Sequence, residues 1–373
     1  MVGIDAVTLR RRNLVAVFPH RTAMGTTIDG GVFAGNIDPA LAAADAAGFA
    51  ARRATSERRG MLRGFALTCF LETARGAPNE GAEIRFEADG RVALLLGTQS
   101  NGQGHETSFV QVASDRLGLP VEAFVYRQAD TALVRDGHGH GGARSLHMGG
   151  AALVKVIDTV IVRGREVAAR LLQARMDEVT FTAGRFVADG RSVALADVAR
   201  EGGLDSYEWN LHDRITFPNG CHVAEVEVDP ETGRVALLRY AAVDDFGAVV
   251  NPMLTVGQVH GGVAQGIGQA MLERTVYDPA SGQLLSGSFT DYALPRADDL
   301  PDLDIRLRGV ATDANPLGVK GAGQAGAIAA PQAVIAAVLD ALRPLGVRHI
   351  DMPATPERVW RAIKEAASGP RSD

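Results

Sequence analysis

Cysteine is nearly missing: the 373 residues include two, Cys69 and Cys221, too few to hold an iron–sulfur cluster or a cysteine-rich zinc site. Both sit in apolar, strand-like surroundings and read as reduced core residues of a cytoplasmic protein. A basic excess is lacking too. The formal charge is −6, and arginines cluster only briefly, at Arg10-Arg11-Arg12 and Arg58-Arg59, which gives no support to nucleic-acid binding. No unbroken apolar run reaches the ~18 residues of a membrane span, and the N-terminus has no signal-peptide h-region. Pro/Ser-rich linkers and low-complexity tracts are absent as well.

What is present is a large apolar fraction, 46%, on a chain longer than one core usually supports, so one large domain or two closely packed ones are expected. Glycine is abundant, at 43 residues, and it concentrates in a few loops. The densest is NPLGVKGAGQAGAIAAP, residues 315–331, where Gly318, Gly321, Gly323 and Gly326 alternate with small residues ahead of an apolar helix. Glycine lacks a Cβ and accepts positive φ, so such a run lets backbone amides approach a bulky ligand. Gln324 is the only long polar side chain in its core.

Taken in order, residues 1–60 read as a helical segment, with a short basic helix over 7–14 and an Ala-rich helix over 38–51 opened by Asp38 and Pro39. Nothing before Val7 forms an element, as expected of a terminus lying on a partner or of a chain cut from something longer. From Gly64 the pattern turns to strands: 64–70, then a hairpin of 82–86 and 91–96 about Asp89-Gly90. His105 opens a helix that Gly118 ends. A strand over 123–127 leads into the glycine-rich loop 130–145 and a long helix over 151–175. A second hairpin pairs 223–228 with 234–244, and Asn251-Pro252 cap a helix over 257–271. Glycine costs about 1 kcal/mol inside a helix, so the five here call for a close neighbour. Strands over 285–294 and 303–310 and a helix over 356–366 complete the chain. The polar stretch 189–206 is the candidate separator between halves.

The halves echo each other. Gly90-Arg91-Val92-Ala93-Leu94-Leu95 recurs as Gly233-Arg234-Val235-Ala236-Leu237-Leu238, and each is followed by Gly-Gln-x-His, at Gly102 and at Gly257. This implies a duplicated α+β unit whose two Gly-Gln segments face one site, with a first unit over 61–190 and a second over 207–373. Gln99, Gln103, Gln258, Gln265 and Gln324 in glycine-rich segments suit a large ligand with many acceptors, because amides both donate and accept and glycine amides suit phosphate oxygens. Three other readings are weaker. Gly321 to Gly326 matches a dinucleotide fingerprint but lacks its preceding strand and its later acidic residue. Asp136, His138, His140 and His147 fit no zinc spacing. No Gly-x-Ser-x-Gly elbow supports a hydrolase.

Six motifs in series resemble the molybdenum-cofactor-binding large subunit of the xanthine dehydrogenase/aldehyde oxidase family, in its C-terminal half. They are Gly102-Gln103-Gly104-His105-Glu106-Thr107, the glycine run ending Arg144-Ser145, Asn251-Pro252, the helix from Gly257-Gln258, Asp291-Tyr292-Ala293-Leu294-Pro295, and Pro316-Leu317-Gly318-Val319-Lys320-Gly321. The resemblance implies an α+β fold and a molybdopterin, often as its cytosine dinucleotide. The ligand residues it implies are Gln103, Gly104, His105, Gly139, Gly141, Gly142, Arg144, Ser145, Gln258, Gly261, Gly262, Gln265, Gly321 and Gly323. It further implies hydroxylation of an aldehyde or N-heterocycle carbon with oxygen from water. FAD and 2Fe-2S subunits would be partners, beside a polypeptide supplying the family's N-terminal half.

One departure falls at the most consequential position. The family's base is a glutamate, and Gln324 stands in its place; an amide accepts no proton at neutral pH. His140 and Ala143 also replace the usual Thr and Ser. Two readings follow: a hydroxylase subunit with altered or assisted activity, or a non-catalytic cofactor-binding scaffold.

Overall fold

The computed structural model describes residues 3–211 and 214–368. The expected segment 1–60 and unit 207–373 therefore each include a few residues outside the description. In chain order, α1 (Ala6–Asn13), a ribbon of β1 (His20–Arg21) with β2 (Thr27–Ile28), α2 (Ile37–Ala43) and α3 (Phe49–Glu57) precede β3 (Leu62–Leu71). The single helix expected over 38–51 is broken, because Asp45 adopts a left-handed conformation with φ 49° and caps the next turn through Gly48 N. Asp38 forms an ion pair with Arg11.

The first unit follows: β4 (Asn79–Phe86), β5 (Val92–Leu96), α4 (His105–Leu117), β6 (Phe124–Arg127) and α5 (Gly150–Leu172). A small antiparallel sheet of β7 (Thr180–Thr182), β8 (Arg185–Ala188) and β9 (Arg191–Ala194), then α6 (Leu195–Arg200) and β10 (Ser206–Leu211), come next. The second unit has β11 (Asn219–Val228), β12 (Val235–Asp245), α7 (Pro252–Met271), β13 (Leu303–Leu307), α8 (Ala325–Leu342) and α9 (Pro356–Ser368). Residues 285–294, expected as a strand, form turns instead.

The duplication is visible in the topology. The two four-stranded sheets run β10-β4-β5-β6 and β3-β11-β12-β13. In each, a central hairpin is flanked by an antiparallel strand on one side and a parallel strand on the other. A helix follows each hairpin and another follows each parallel strand. The edge strands cross the expected boundaries: β3, placed in the first unit by sequence, pairs with β11, and β10, at the start of the second, pairs with β4. Residues 189–206 thus carry β9 and α6 between packed elements. Interleaving binds the units, since unfolding either one strips an edge from the other's sheet.

Each unit has its own core, α4 and α5 against the first sheet and α7 and α8 against the second. Close approach decides several glycines. A Cβ on Gly64 of β3 would lie 1.9 Å from the Ala337 carbonyl of α8, and one on Gly326 would lie 2.5 Å from Val263 N of α7. Among the α7 glycines, Gly262, Gly266 and Gly268 have the close neighbour their helix cost requires, whereas a Cβ on Gly257 or Gly261 would meet nothing within 4 Å. By length and composition, the helical stretches Ser145–Leu172 and Ala325–Leu345 are apolar enough to cross a membrane, and 61% of the most apolar 18-residue window of each is buried inside the fold.

Candidate functional site

A cavity of about 590 Å³ lies where the units meet. Residues around 101–105 and 140–146 supply one wall; residues 246–250, the start of α7 and residues 319–324 supply the other.

Local sequence explains why backbone dominates the walls. α4 starts from Gly104 (φ 77°), the π-turn Ser145–Gly149 that leads into α5 starts from Arg144, and α8 starts from Gln324; none of the three residues caps its helix with its side chain. First-turn N–H groups there have no intrahelical acceptor, and the helix dipole adds positive potential. α7 differs, because Asn251 accepts from Leu254 N at 3.0 Å while donating to Gln111 of α4 at 3.1 Å, which ties the units together. Among the described residues no aspartate or glutamate lines the cavity, and Lys320 does. Glu106 in the first turn of α4 is exposed and outside the cavity wall, so the converging helix starts favour an anion.

Lys320 is fixed rather than free. Its Nζ donates to Asp245 Oδ2 at 2.7 Å, and the next residue, Gly321, donates its N–H to Thr216 Oγ1 at 3.2 Å. His105 is 5% exposed, and its Nδ1 is buried without a partner. Burial, with His140 adding, lowers its pKa to about 4, so the ring is neutral near pH 7 and offers one lone pair to the site. Gln258 donates to the Gly323 carbonyl at 2.8 Å, fastening α7 to the glycine run. Gln103 folds back, accepting from Asn101 N at 2.5 Å, and Asn101 Nδ2 meets His140 Nε2 at 3.2 Å across two loops.

The cavity brings together Gln103, His105, Gly141, Gly142, Ser145, Gln258, Gly321, Gly323 and Gln324. Other expected ligands lie elsewhere. Arg144 is fully buried behind the loop, paired with Glu80 and donating to the Gly139 carbonyl at 2.9 Å, so it shapes the loop without facing the cavity. Gly139 supplies that carbonyl. Gly104 leaves room for Leu254, 2.7 Å from where a Cβ would stand, and Gly262 packs on Gly326 and Ala327 of α8. Gly261 and Gln265 are exposed on α7. The Gly-Gln echo also differs in form: Gln103 precedes α4, whereas Gln258 lies within α7.

Sequence reasoning missed Asn101, Phe246 and Thr255 as wall residues. It also missed Asp245, whose place at the end of β12 signalled nothing. Of the histidine-loop residues, Asp136 accepts from Tyr207 at 2.7 Å and His138 lies against Trp209. Among the described residues no group of three or more His, Cys, Asp or Glu could hold a metal ion.

Residues 40–301 match the model of the molybdopterin cofactor-binding domain. The chain is 33% identical to the nicotine 6-hydroxylase large subunit of Paenarthrobacter nicotinovorans, over 97% of this chain and 48% of that protein. It is 30% identical to the carbon monoxide dehydrogenase large chain of Hydrogenophaga pseudoflava, over 98% and 49%. Quinoline 2-oxidoreductase from Pseudomonas putida 86 superposes with a TM-score of 0.89 at 31% identity, covering 96% of this chain and 49% of that one. The chain thus spans about half the length of each.

Proposed function

Because this chain belongs to the molybdopterin cofactor-binding domain family, the molybdenum-binding family of xanthine dehydrogenase and aldehyde oxidase, we propose that its cavity holds a molybdopterin, often as the cytosine dinucleotide, within a multi-subunit hydroxylase. One observation carries this reading: uncapped helix starts and glycine loops from both units converge on one cavity with no acidic wall residue among the described residues.

The residues present fit such a group. Amides at the starts of α4, Ser145–Gly149 and α8 would meet anionic oxygens. Neutral His105, Gln103 and Ser145 would meet the heteroatom edge of a pterin, and the backbone of Gly141, Gly321 and Gly323 would allow close approach. When bound, the group supplies redox chemistry that places oxygen from water on an aldehyde or N-heterocycle carbon. Gln324 lines the cavity at the start of α8 and hydrogen-bonds an incoming substrate, but it takes up no proton at neutral pH. Missing general-base catalysis lowers rates by about 10²–10⁴-fold, so the reaction needs a base from a partner.

The relatives are about twice as long as this chain. FAD and 2Fe-2S are expected on separate subunits in the cytoplasm. A non-catalytic scaffold is the competing reading, favoured by Gln324 alone. Purifying the chain with its neighbours and assaying molybdenum, pterin and turnover separates them. Cofactor with turnover supports the hydroxylase; cofactor with turnover only in Gln324→Glu supports the scaffold; a complex without pterin sinks both.

A further inference from the structure

Cys69 and Cys221 stand directly opposite each other on the neighbouring antiparallel strands β3 and β11. Both side chains enter one small core with Ile37, Ala40, Leu67 and Val223, beneath the N-terminal helices. Opposed residues in an antiparallel pair have Cα atoms about 4.5–5.5 Å apart, inside the ~4.4–6.8 Å range that a disulfide bridges. Both are free thiols.

Their surroundings give them different chemistry. Cys221 is fully buried and Cys69 only partly. A hydrogen bond with Cys221 holds the Cys69 thiol below its ordinary pKa, with Arg10 and Arg11 of α1 assisting. Cys221 is pushed up by that same bond and by burial, with Asp244 of β12 adding. Cys69 is therefore the attacking sulfur and Cys221 the resolving one. α1, which carries the two arginines, has no buried residue.

We propose that Cys69 and Cys221 form a reversible redox modification site for small disulfides of the glutathione disulfide class. The Cys69 thiolate attacks one sulfur of the small disulfide, forming a mixed disulfide and expelling one thiolate. Cys221 gives its proton to solvent, attacks Sγ of Cys69 and expels the second. Two protein thiols lose two electrons in all, and one small disulfide becomes two thiols. Cys221 is slow to ionise, so the mixed disulfide precedes the cross-link.

The bond would fall near the supports of the cavity. Two residues before Cys221, Asn219 donates to Asp245 at 3.1 Å, and beyond β3, Ala74 packs where a Cβ on Gly321 would stand. The test uses the reduced full chain with its accompanying polypeptides, exposed to glutathione disulfide at about pH 8 and mapped by non-reducing peptide mass spectrometry. The expected result is glutathione on Cys69 first, then a Cys69–Cys221 linked peptide that dithiothreitol reverses, with Cys221→Ser stopping at the mixed disulfide. The proposal fails if Cys69 stays fully alkylatable, if glutathione on Cys69 never passes to Cys221, or if linkage joins separate chains.

Discussion

Lys320 Nζ donates to Asp245 Oδ2 at 2.7 Å with both side chains almost wholly out of water, so a residue of the cavity wall is clamped to the end of β12. The same carboxylate accepts from Asn219 Nδ2 at 3.1 Å, Gly247 N at 2.9 Å and Val310 N at 3.1 Å. One buried anion thus gathers β11, β12 and the segments leading into and out of the cavity wall. Lys320→Met strands that charge and is expected to cost about 3–5 kcal/mol, read as a lower urea midpoint. A loss under about 1 kcal/mol would mean that the amide donors satisfy the carboxylate unaided.

Two buried groups give stability opposing pH slopes. Burial raises the Glu72 pKa from 4.5 to about 7, and neither carboxylate oxygen has a hydrogen-bond partner. Across that window the folded chain holds more protons than the unfolded one, so stability falls as pH rises. His105, lowered from 6.5 to about 4, acts the other way: the unfolded chain takes the proton first, so stability falls as pH drops. Each effect amounts to roughly 3 kcal/mol at most. Glu72→Gln should leave a profile that climbs with pH through the shared interval, and His105→Gln one that declines. Unfolding curves of both variants that parallel wild type would show that burial perturbs neither group.

Arg144 and Glu80 are both fully buried. Arg144→Met is expected to destabilise the chain by about 3–5 kcal/mol through the unpaired Glu80. Arg144→Met with Glu80→Gln should recover much of this. Recovery of stability without recovery of bound cofactor in the purified complex would locate the role of Arg144 in shaping residues 139–145. Additive losses would show that the pair is not coupled.

The glycines of α7 and α8 divide by face. Gly326→Ala forces a methyl into the backbone of α7 and should cost about 1–3 kcal/mol. Gly261 is exposed, with nothing within 4 Å of where a methyl would stand, so Gly261→Ala should stabilise the isolated chain by up to about 1 kcal/mol. If another polypeptide covers this face, the same change weakens co-purification. Unaltered assembly would leave Gly261 without a docking role.

Local signals were legible wherever they act within a few residues. The hairpin at Asp89-Gly90, the α4 span closed by Gly118 (φ 63°) and the Asn251 cap of α7 appear as expected. The helix expected over 38–51 failed at Asp45, where alanine propensity gave way to a local turn. The strand expected over 285–294 failed because apolar residues there, including Phe289 at 81% exposed, find no sheet to pair with. The burial of Arg144 behind its loop was not legible for a different reason: a motif fixes which residue stands in a loop, but not which way its side chain turns.

By itself the sequence determined the order of hairpin, helix, strand and helix in each unit, since turn chemistry and apolar period act along the chain. It also determined that Gln324, and no carboxylate, stands at the start of α8. Only the tertiary structure decided that β3 and β10 trade partners between units, that Asp245 anchors Lys320 and that the two cysteines face each other. Those facts depend on contacts between residues 75 or more positions apart, and the free energy of such contacts comes from burial that no short window of sequence contains.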